Sequence, residues 1–317
     1  MRKLVMYKPY KKIWFNDDSN DLSSVSGEFT AVARTFAERG WDVVIASPTD
    51  LKDGEINNIR NGNVLEDADR TMVFCGSFAK DYYGDSVIPM LKKQTQQLDF
   101  VLTDYKLVPT NIKYLDYFDN IYCQATRPLF GWQTKYCGST FILYGHRTMN
   151  ADDLNDIELI MKDKTIDYSF GGTERNRLDD YLEYVWRPDC KLMGKSDTLG
   201  FDNRVPAIEY RKILDATKFS IVIADVNYNT DGFVTQRHWE NLKHNIISFM
   251  DSKCDPDEAI MKKDDWRRVK NYKELKEKMG ALLKDIELYK KKLAEGIREI
   301  KEEYLNGDEI YEKLEGD

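Results

Sequence analysis

Short apolar runs separated by polar loops and amphipathic segments organise the first half of the chain. Between the first two runs, residues 28–39 place their apolar side chains on one helical face, and Gly40 stands where a glycine commonly ends a helix. This order of strand, helix and strand is typical of a Rossmann-like domain. The runs predicted to be strands are Lys3–Met6, Trp41–Ala46, Arg70–Cys75, Leu98–Leu102, Ile121–Cys123 and Phe141–Tyr144.

The same alternation continues in the second half of the chain. Turn-forming residues over Asp225–Gly232 predict a loop at the end of one apolar run. Strand, loop, helix and strand follow one another there, which again indicates a Rossmann-like unit. The predicted strands are Thr165–Phe170, Cys190–Gly194, Phe219–Ala224 and Ile246–Met250, and the predicted helices are 178–182, Ile208–Lys218 and Phe233–Leu242.

Changes in composition divide the chain into three parts. Residues 150–156 are acidic and polar and mark a domain boundary. Lys270–Leu314 is rich in Lys, Glu and Leu, which predicts two or three amphipathic helices. We therefore predict a first domain over 1–155, a second over 156–295 and a closing helical segment over 296–317.

Composition limits the classes of function. The 317 residues suffice for two domains with separate cores, and no stretch approaches the roughly 18 apolar residues of a membrane span. The five cysteines are dispersed, with no CxxC pair, as is typical of free thiols in a reducing cytoplasm. A net charge of −8 argues against strong non-specific binding to nucleic acid, although it allows a local basic cleft.

Arg237 and Glu240 are the first candidates for binding chemistry. They lie three residues apart on a predicted helix and therefore share one face. A guanidinium can hold phosphate oxygens in a fork, and a carboxylate can accept two hydrogen bonds from a ribose diol. A nucleoside diphosphate would suit the pair. A surface ion pair is the alternative, and spacing alone favours it.

The residues around this pair resemble a known family. The segment DVNYNTDGFVTQRHWE is similar to the donor-binding segment of the DNA β-glucosyltransferases of T-even phages, which has the pattern Asp-x-Asn-Tyr-Asn, a short gap, and Phe-x-Thr-x-Arg-x-Trp-Glu. This chain has one extra residue in the gap. The resemblance implies that Asp225, Tyr228, Arg237 and Glu240 bind the UDP part of a UDP-sugar.

A glycine pair extends the resemblance. A Gly-Gly turn lets backbone amides approach a phosphate closely, and the family has Tyr-Gly-Gly-Ser followed by two arginines four apart that bind the donor diphosphate. Here Gly172, Thr173 and Arg175 match directly, whereas Arg177 matches only with a gap. A plain strand-to-helix turn with two solvated arginines is the alternative reading of these residues.

Two carboxylates in the first half are candidates for the reaction itself. Asp104 follows a predicted strand, where a carboxylate directed into a cleft can take a proton from a hydroxyl nucleophile. Thr103-Asp104 with Lys106 resembles the family's Phe-Thr-Asp motif, whose Asp is the catalytic base. Glu28 matches the family's acid that contacts the donor sugar. The alternatives are a turn residue for Asp104 and a helix-dipole contact for Glu28.

Aromatic and basic residues of the first half are candidates for contact with DNA. Tyr82 and Tyr83 precede a glycine in a polar segment, where they could stack on bases, or pack beneath the loop instead. Lys106 is the basic residue beside the proposed catalytic base. Solvated surface side chains are the alternative for each of the further basic residues, which are Arg2, Lys3, Lys8, Lys11, Lys12, Lys92, Lys93, Lys113 and Arg127.

The resemblance implies an α/β fold of the GT-B type, with two Rossmann-like domains facing a cleft and a C-terminal helix returning to the first domain. It implies inverting transfer of a sugar from UDP-glucose, or from a UDP-pentose such as UDP-arabinose, to 5-hydroxymethylcytosine in double-stranded DNA. Base flipping would bring the acceptor out of the stack. It also implies a monomer in the cytoplasm of an infected bacterium.

Three questions stay open at this point. A divalent ion, Mg²⁺ or Mn²⁺, could assist the leaving diphosphate, although the sequence has no dedicated metal cluster. A small molecule or polysaccharide is the alternative acceptor. A nucleotide-sugar or DNA-binding module without turnover is the alternative that is not an enzyme.

Overall fold

The chain forms two compact units, each with its own six-stranded sheet. They comprise Met1–His146 with Asn306–Asp317, and Arg147–Leu305. The units divide after His146 and after Leu305, whereas composition predicts boundaries after residues 155 and 295. The computed structural model describes residues 1–7, 32–46, 68–75, 84–102, 112–123, 125–127, 135–136, 157–233, 235, 237–303 and 307–315.

The sheet of the first unit is parallel throughout its described part and has the strand order β2-β1-β3-β4-β5-β6. Strands β1 to β5 confirm five of the predicted apolar runs, and the predicted strand Phe141–Tyr144 lies outside the described residues. The strands are β1 (Lys3–Tyr7), β2 (Asp42–Ala46), β3 (Ala68–Cys75), β4 (Thr95–Leu102), β5 (Asn120–Cys123) and β6 (Lys135–Tyr136).

Helices cover this sheet, and one of them comes from the C-terminal end of the chain. Ile310 and Leu314 of that last helix are buried with Val32 and Phe36 against the apolar side chains of the strands. Burying an apolar side chain of this size contributes about 1.5–3 kcal/mol, so the contact stabilises the unit. The helices are α1 (residues 32–38), α2 (Gly84–Gln94), α3 (Ile112–Leu115) and α11 (Gly307–Glu315).

A buried polar network also holds α11 to the sheet. Arg70 of β3 donates from Nε to Asp99 of β4 at 2.5 Å, from Nη1 to Glu315 at 2.9 Å and from Nη2 to the carbonyl oxygen of Leu314 at 2.8 Å. Tyr122 donates to that same carbonyl at 3.0 Å. Because Arg70 and Asp99 are almost completely buried, their charges require these partners.

The sheet of the second unit has the strand order β12-β11-β10-β7-β8-β9. All of its described pairings are parallel except that of β8 with β9. All four apolar runs predicted in this half are strands. The elements are β7 (Ile166–Thr173), β8 (Lys191–Ser196), β9 (Phe201–Asp202), β10 (Thr217–Val222), β11 (Ile247–Asp251) and β12 (Arg268–Val269).

One helix of the second unit precedes these strands, and the others lie between them or follow them. Three helices are described within Lys270–Leu314, in agreement with the two or three predicted, and the last of them is α11 of the first unit. A π-helical turn over Tyr181–Val185 continues the helix predicted at 178–182. The helices are α4 (Ile157–Asp163), α5 (Leu178–Asp180), α6 (Ala207–Asp215), α7 (Val226–Asp231), α8 (Arg237–Lys243), α9 (Tyr272–Lys284) and α10 (Ile286–Glu303).

Two predictions around β10 are wrong. The loop predicted over Asp225–Gly232 contains the helix α7, because the carbonyl oxygen of Asp225 accepts hydrogen bonds from the amides of Tyr228 and Asn229. The helix predicted from Phe233 begins only at Arg237, since Phe233 forms an isolated bridge and its amide bonds back to the carbonyl of Tyr228. Arg237 and Glu240 therefore lie in the first turn of α8.

Candidate functional site

The carboxyl ends of β7 and β10 define the candidate site. These strands are parallel neighbours, with Ser169 opposite Ser220, so both end at the same edge of the sheet. The chain leaves β7 for β8 on one side, whereas β10 lies on the other side. The order of the sheet thus reverses between β7 and β10, and in open α/β sheets ligands bind at such a switch point, outside the carboxyl ends of the strands.

Glycines at the end of β7 and on neighbouring β8 allow close packing. A Cβ atom on Gly171 would lie 2.5 Å from both Cε2 and Oη of Tyr210. On the neighbouring strand, a Cβ atom on Gly194 would overlap the carbonyl oxygen of Gly172. The hydroxyl of Tyr181 donates to that same carbonyl at 3.1 Å. The backbone at the strand end is therefore fixed from both sides.

Arg177 joins the two strand ends. Its guanidinium donates from Nη2 to the carbonyl oxygen of Thr173 at 2.7 Å and from Nη1 to that of Ile223, just beyond β10, at 2.6 Å. Burial and the nearby positive charge of Arg237 lower the pKa of Arg177 to about 10, still high enough for a cation at neutral pH. Arg177 therefore supports the site by holding the ends of β7 and β10 together.

Arg175 differs from Arg177 in its surroundings. Its side chain is exposed, and its backbone φ of 44° lies in the left-handed region, which is uncommon for a residue other than glycine. Neighbouring Glu174 is buried and accepts hydrogen bonds from Ser196 at 3.2 Å and Thr198 at 2.9 Å. Glu174 anchors the turn while Arg175 presents its guanidinium to solvent.

Arg237 and Glu240 form an ion pair that Tyr210 of α6 completes. Arg237 donates from Nη1 to Oε2 of Glu240 and to the hydroxyl of Tyr210, and that hydroxyl donates to Oε2 at 3.2 Å. Although burial opposes its charge, Glu240 and Tyr210 hold the pKa of Arg237 above its usual value. Burial likewise raises the pKa of Tyr210, so its hydroxyl keeps its proton.

The two other residues expected from the donor segment lie shortly after β10 in the chain. Asp225 lies three residues beyond the end of β10 and is 5% exposed. Tyr228, in the first turn of α7, is half-buried, and the centroid of its ring lies 5.5 Å from that of Phe233. Tyr228 also packs against an apolar cluster that includes Val222 and Met250. Both residues are thus fixed next to the end of β10.

The structure therefore brings the expected residues of the second unit to one edge of its sheet, and it adds Tyr210. Sequence reasoning missed Tyr210 because its position in a predicted amphipathic helix carries no motif. The glycine that accommodates its ring, Gly171, was visible, but a glycine does not reveal which side chain approaches it. Which side chain approaches the glycine becomes clear only once the order of the strands in the sheet is known.

The candidates of the first half have a different outcome. Asp104, Glu28, Tyr82, Tyr83 and Lys106 lie outside the described residues, and their roles stay predictions. Two of the basic residues considered for DNA are engaged in ion pairs on the protein itself: Arg2 donates to Glu315 at 3.0 Å, and Lys92 to Asp119 at 2.6 Å.

The described part of the chain does not provide a metal centre. Across it, no group of three or more His, Cys, Asp or Glu side chains is arranged to hold an ion. At the candidate site, the carboxylate of Glu240 is already paired with Arg237. Among the described helices, none is long and apolar enough to cross a membrane.

Two units, each built on a mostly parallel sheet covered by helices, define an α/β fold of the GT-B glycosyltransferase type. Solved structures of T4 phage β-glucosyltransferase share it. One, described by its substrate binding and proposed mechanism, superposes with a TM-score of 0.61 at 17% identity, covering 99% of this chain and 98% of that one. The complex of T4 phage β-glucosyltransferase with UDP and Mn²⁺ superposes with a TM-score of 0.60 at 17% identity and covers 99% of this chain and 98% of that one.

A third structure, of that phage enzyme with its UDP-glucose substrate, gives a TM-score of 0.57 at 16% identity and covers 99% of this chain and 96% of that one. The resemblance read from the sequence motifs is thereby confirmed at the level of the fold. No protein-family profile matches this sequence, and no curated protein matches it either.

Proposed function

We propose that this protein is a UDP-sugar-dependent glycosyltransferase whose donor site is the carboxyl edge of β7 and β10. The observation that carries the proposal is the convergence of Arg237 and Glu240 with the Gly171-Gly172-Thr173 strand end at the switch point of the second sheet. The similar T4 phage structures contain UDP or UDP-glucose, which supports the same class of donor here.

The chemistry of the described side chains fits a nucleoside diphosphate. Arg237 and exposed Arg175 supply two guanidinium groups for the diphosphate. Such cations stabilise the charge that grows on the leaving group in the transition state. Glu240 supplies a carboxylate for the ribose hydroxyls. The surface-pair alternative for Arg237 and Glu240 is less favoured, because their side chains are only 24% and 15% exposed.

For the acceptor we propose 5-hydroxymethylcytosine in double-stranded DNA. One of the similar T4 phage structures is described as that of a DNA-modifying enzyme, and the Thr103-Asp104 motif supports a base for a hydroxyl nucleophile. The protein would then modify phage DNA and protect it in an infected bacterium. We propose that it acts there as a cytoplasmic monomer.

The proposed reaction is a single displacement. Asp104 accepts the proton of the hydroxymethyl group while its oxygen forms a bond to the anomeric carbon of the donor. The bond from that carbon to the diphosphate oxygen breaks, and its electron pair leaves with UDP. One displacement inverts the anomeric configuration. Glu28 contacts the sugar, and Tyr82, Tyr83 and Lys106 contact the DNA.

The test is a transfer assay with radiolabelled UDP-glucose and UDP-arabinose. Each donor is incubated with duplexes that are identical except for cytosine or 5-hydroxymethylcytosine at one position, with and without added Mg²⁺ or Mn²⁺. Label that enters only the hydroxymethylated duplex, in a linkage of inverted configuration, supports the proposal. Hydrolysis of the donor without transfer to either duplex would favour a small-molecule or polysaccharide acceptor. The net charge of −8 favours the same alternative.

A further inference from the structure

Tyr210 reaches the candidate donor site from α6. Its ring occupies the space that the missing side chain of Gly171 leaves at the end of β7, and its hydroxyl lies between Arg237 and Glu240. The ring packs directly on the backbone of Gly171, so that a side chain at that position would displace it. Tyr210 is therefore built into the site.

The contacts of Tyr210 and Arg237 make the two carboxylate oxygens of Glu240 inequivalent. Oε2 accepts hydrogen bonds from both Tyr210 and Arg237, whereas no described hydrogen bond uses Oε1. A carboxylate held at one oxygen by two donors has a fixed orientation. Its second oxygen is then positioned to accept a hydrogen bond from a ligand without further loss of side-chain freedom.

We propose that Tyr210 is a positioning residue that orients Glu240 toward the ribose and thereby sets a preference for a ribonucleotide donor over its 2′-deoxy counterpart. This inference rests on the proposed function, since it assumes that the site binds UDP. A site built to accept a substrate hydroxyl rejects the analogue that lacks it, because the buried polar group then loses its partner. Fixing Glu240 strengthens that discrimination.

The test compares UDP with 2′-deoxy-UDP by calorimetric titration of the full-length protein. Tyr210→Phe removes the hydroxyl but keeps the ring against Gly171. We expect the wild type to prefer UDP, and the variant to lose about tenfold in UDP affinity, equivalent to about 1.4 kcal/mol, with little change for 2′-deoxy-UDP. Tyr289→Phe is the matched control, since the hydroxyl of Tyr289 is buried and has no hydrogen-bond partner among the described residues.

A double variant separates positioning from general structural support. Glu240→Gln should by itself lower the preference for UDP over 2′-deoxy-UDP. Adding Tyr210→Phe to it should cause no further loss of that preference, because both changes act on the same contact between Glu240 and the ribose. Equal loss for the two nucleotides in Tyr210→Phe, or additive losses in the double variant, would overturn the inference. Failure of the wild type to bind UDP would instead overturn the proposed function.

Discussion

Arg177 donates a hydrogen bond from Nη1 to the carbonyl oxygen of Ile223 at 2.6 Å. The same guanidinium donates to the carbonyl oxygen of Thr173, so one side chain links the ends of β7 and β10. The link fixes the edge at which Arg175, Arg237 and Glu240 are placed.

The two arginines after the glycine pair should therefore behave differently when each is replaced by Met. Hydrogen bonds from a charged donor contribute about 1.5–3 kcal/mol, so we expect Arg177→Met to lower the free energy of unfolding by about 3 kcal/mol. Arg175→Met should change it by less than about 0.5 kcal/mol, as is usual for an exposed position, yet weaken UDP binding. Urea denaturation and UDP titration on both variants check this. Equal destabilisation by the two would contradict it.

Asp104→Asn tests the proposed catalytic base. A general base typically contributes about 10²–10⁴-fold to rate, and the amide cannot accept the hydroxyl proton as a carboxylate does. We expect the variant to bind UDP and DNA nearly normally and to transfer sugar at least about a hundredfold more slowly in single turnover.

The alternative role of Asp104 gives the opposite pattern. A turn residue that only holds the strand end would lower the melting temperature of the variant and leave transfer largely intact in the folded fraction. Melting temperature, UDP affinity and transfer rate measured on one preparation distinguish the two roles. Near-normal transfer by a folded Asp104→Asn variant would leave Glu28 as the remaining candidate base.

Arg70 should dominate the attachment of the C-terminal helix, since its guanidinium pairs with buried Asp99 and also bonds to Glu315 and Leu314 of α11. Breaking a buried ion pair by removing one partner costs about 3–5 kcal/mol, so Arg70→Met should destabilise the first unit strongly and expose α11 to protease. Arg39→Met is the control, because Arg39 pairs with the largely exposed Asp308 of the same helix, and surface pairs contribute about 0–1 kcal/mol. Similar proteolysis rates for both variants would show that the apolar contacts alone hold α11.

Lys164 should make stability depend on pH. It is 5% exposed and donates to the carbonyl oxygen of His244 at 2.5 Å. Burial lowers its pKa from 10.5 to about 7, although Asp215 and Asp163 oppose the change. The unfolded chain thus binds more protons than the folded one between these values, so the free energy of unfolding should rise as the pH increases from about 7 toward 10.

Removing the amino group should reduce that slope. We expect Lys164→Met to show a smaller rise in the urea midpoint between about pH 7 and pH 9 than the wild type. Part of the slope should persist, because burial also lowers the pKa of Lys243 to about 7. Lys162→Met, at an exposed position of α4, is the control and should keep the full slope. An unchanged slope in Lys164→Met would contradict the assignment.

The longer strands were predictable from the sequence because each contains a short apolar run with its own signal. The pair Arg237 and Glu240 was predictable for a similar reason, since the spacing of three holds in any helix. The strands β6, β9 and β12 contain two residues each, which is too short for a pattern of hydrophobic residues to form.

Other features depend on contacts that local sequence does not encode. Turn-forming residues fill α7, and only the hydrogen bonds accepted by Asp225 show that they are helical. The supporting task of Arg177 requires the carbonyl of Ile223, forty-six positions along the chain, to lie beside Thr173. Tyr210 enters the site only because α6 packs its ring against Gly171.

A calorimetric titration of the wild type with UDP tests the central claim most directly, with Arg237→Ala and Glu240→Ala in parallel. Arg298→Ala, on the exposed face of α10, is the control for the loss of an arginine. We predict that the wild type and the control bind UDP alike and that both site variants bind at least about tenfold more weakly, a difference of about 1.4 kcal/mol or more. Undetectable binding by the folded wild type, or unchanged affinity in both site variants, would contradict a donor site at this edge of the sheet.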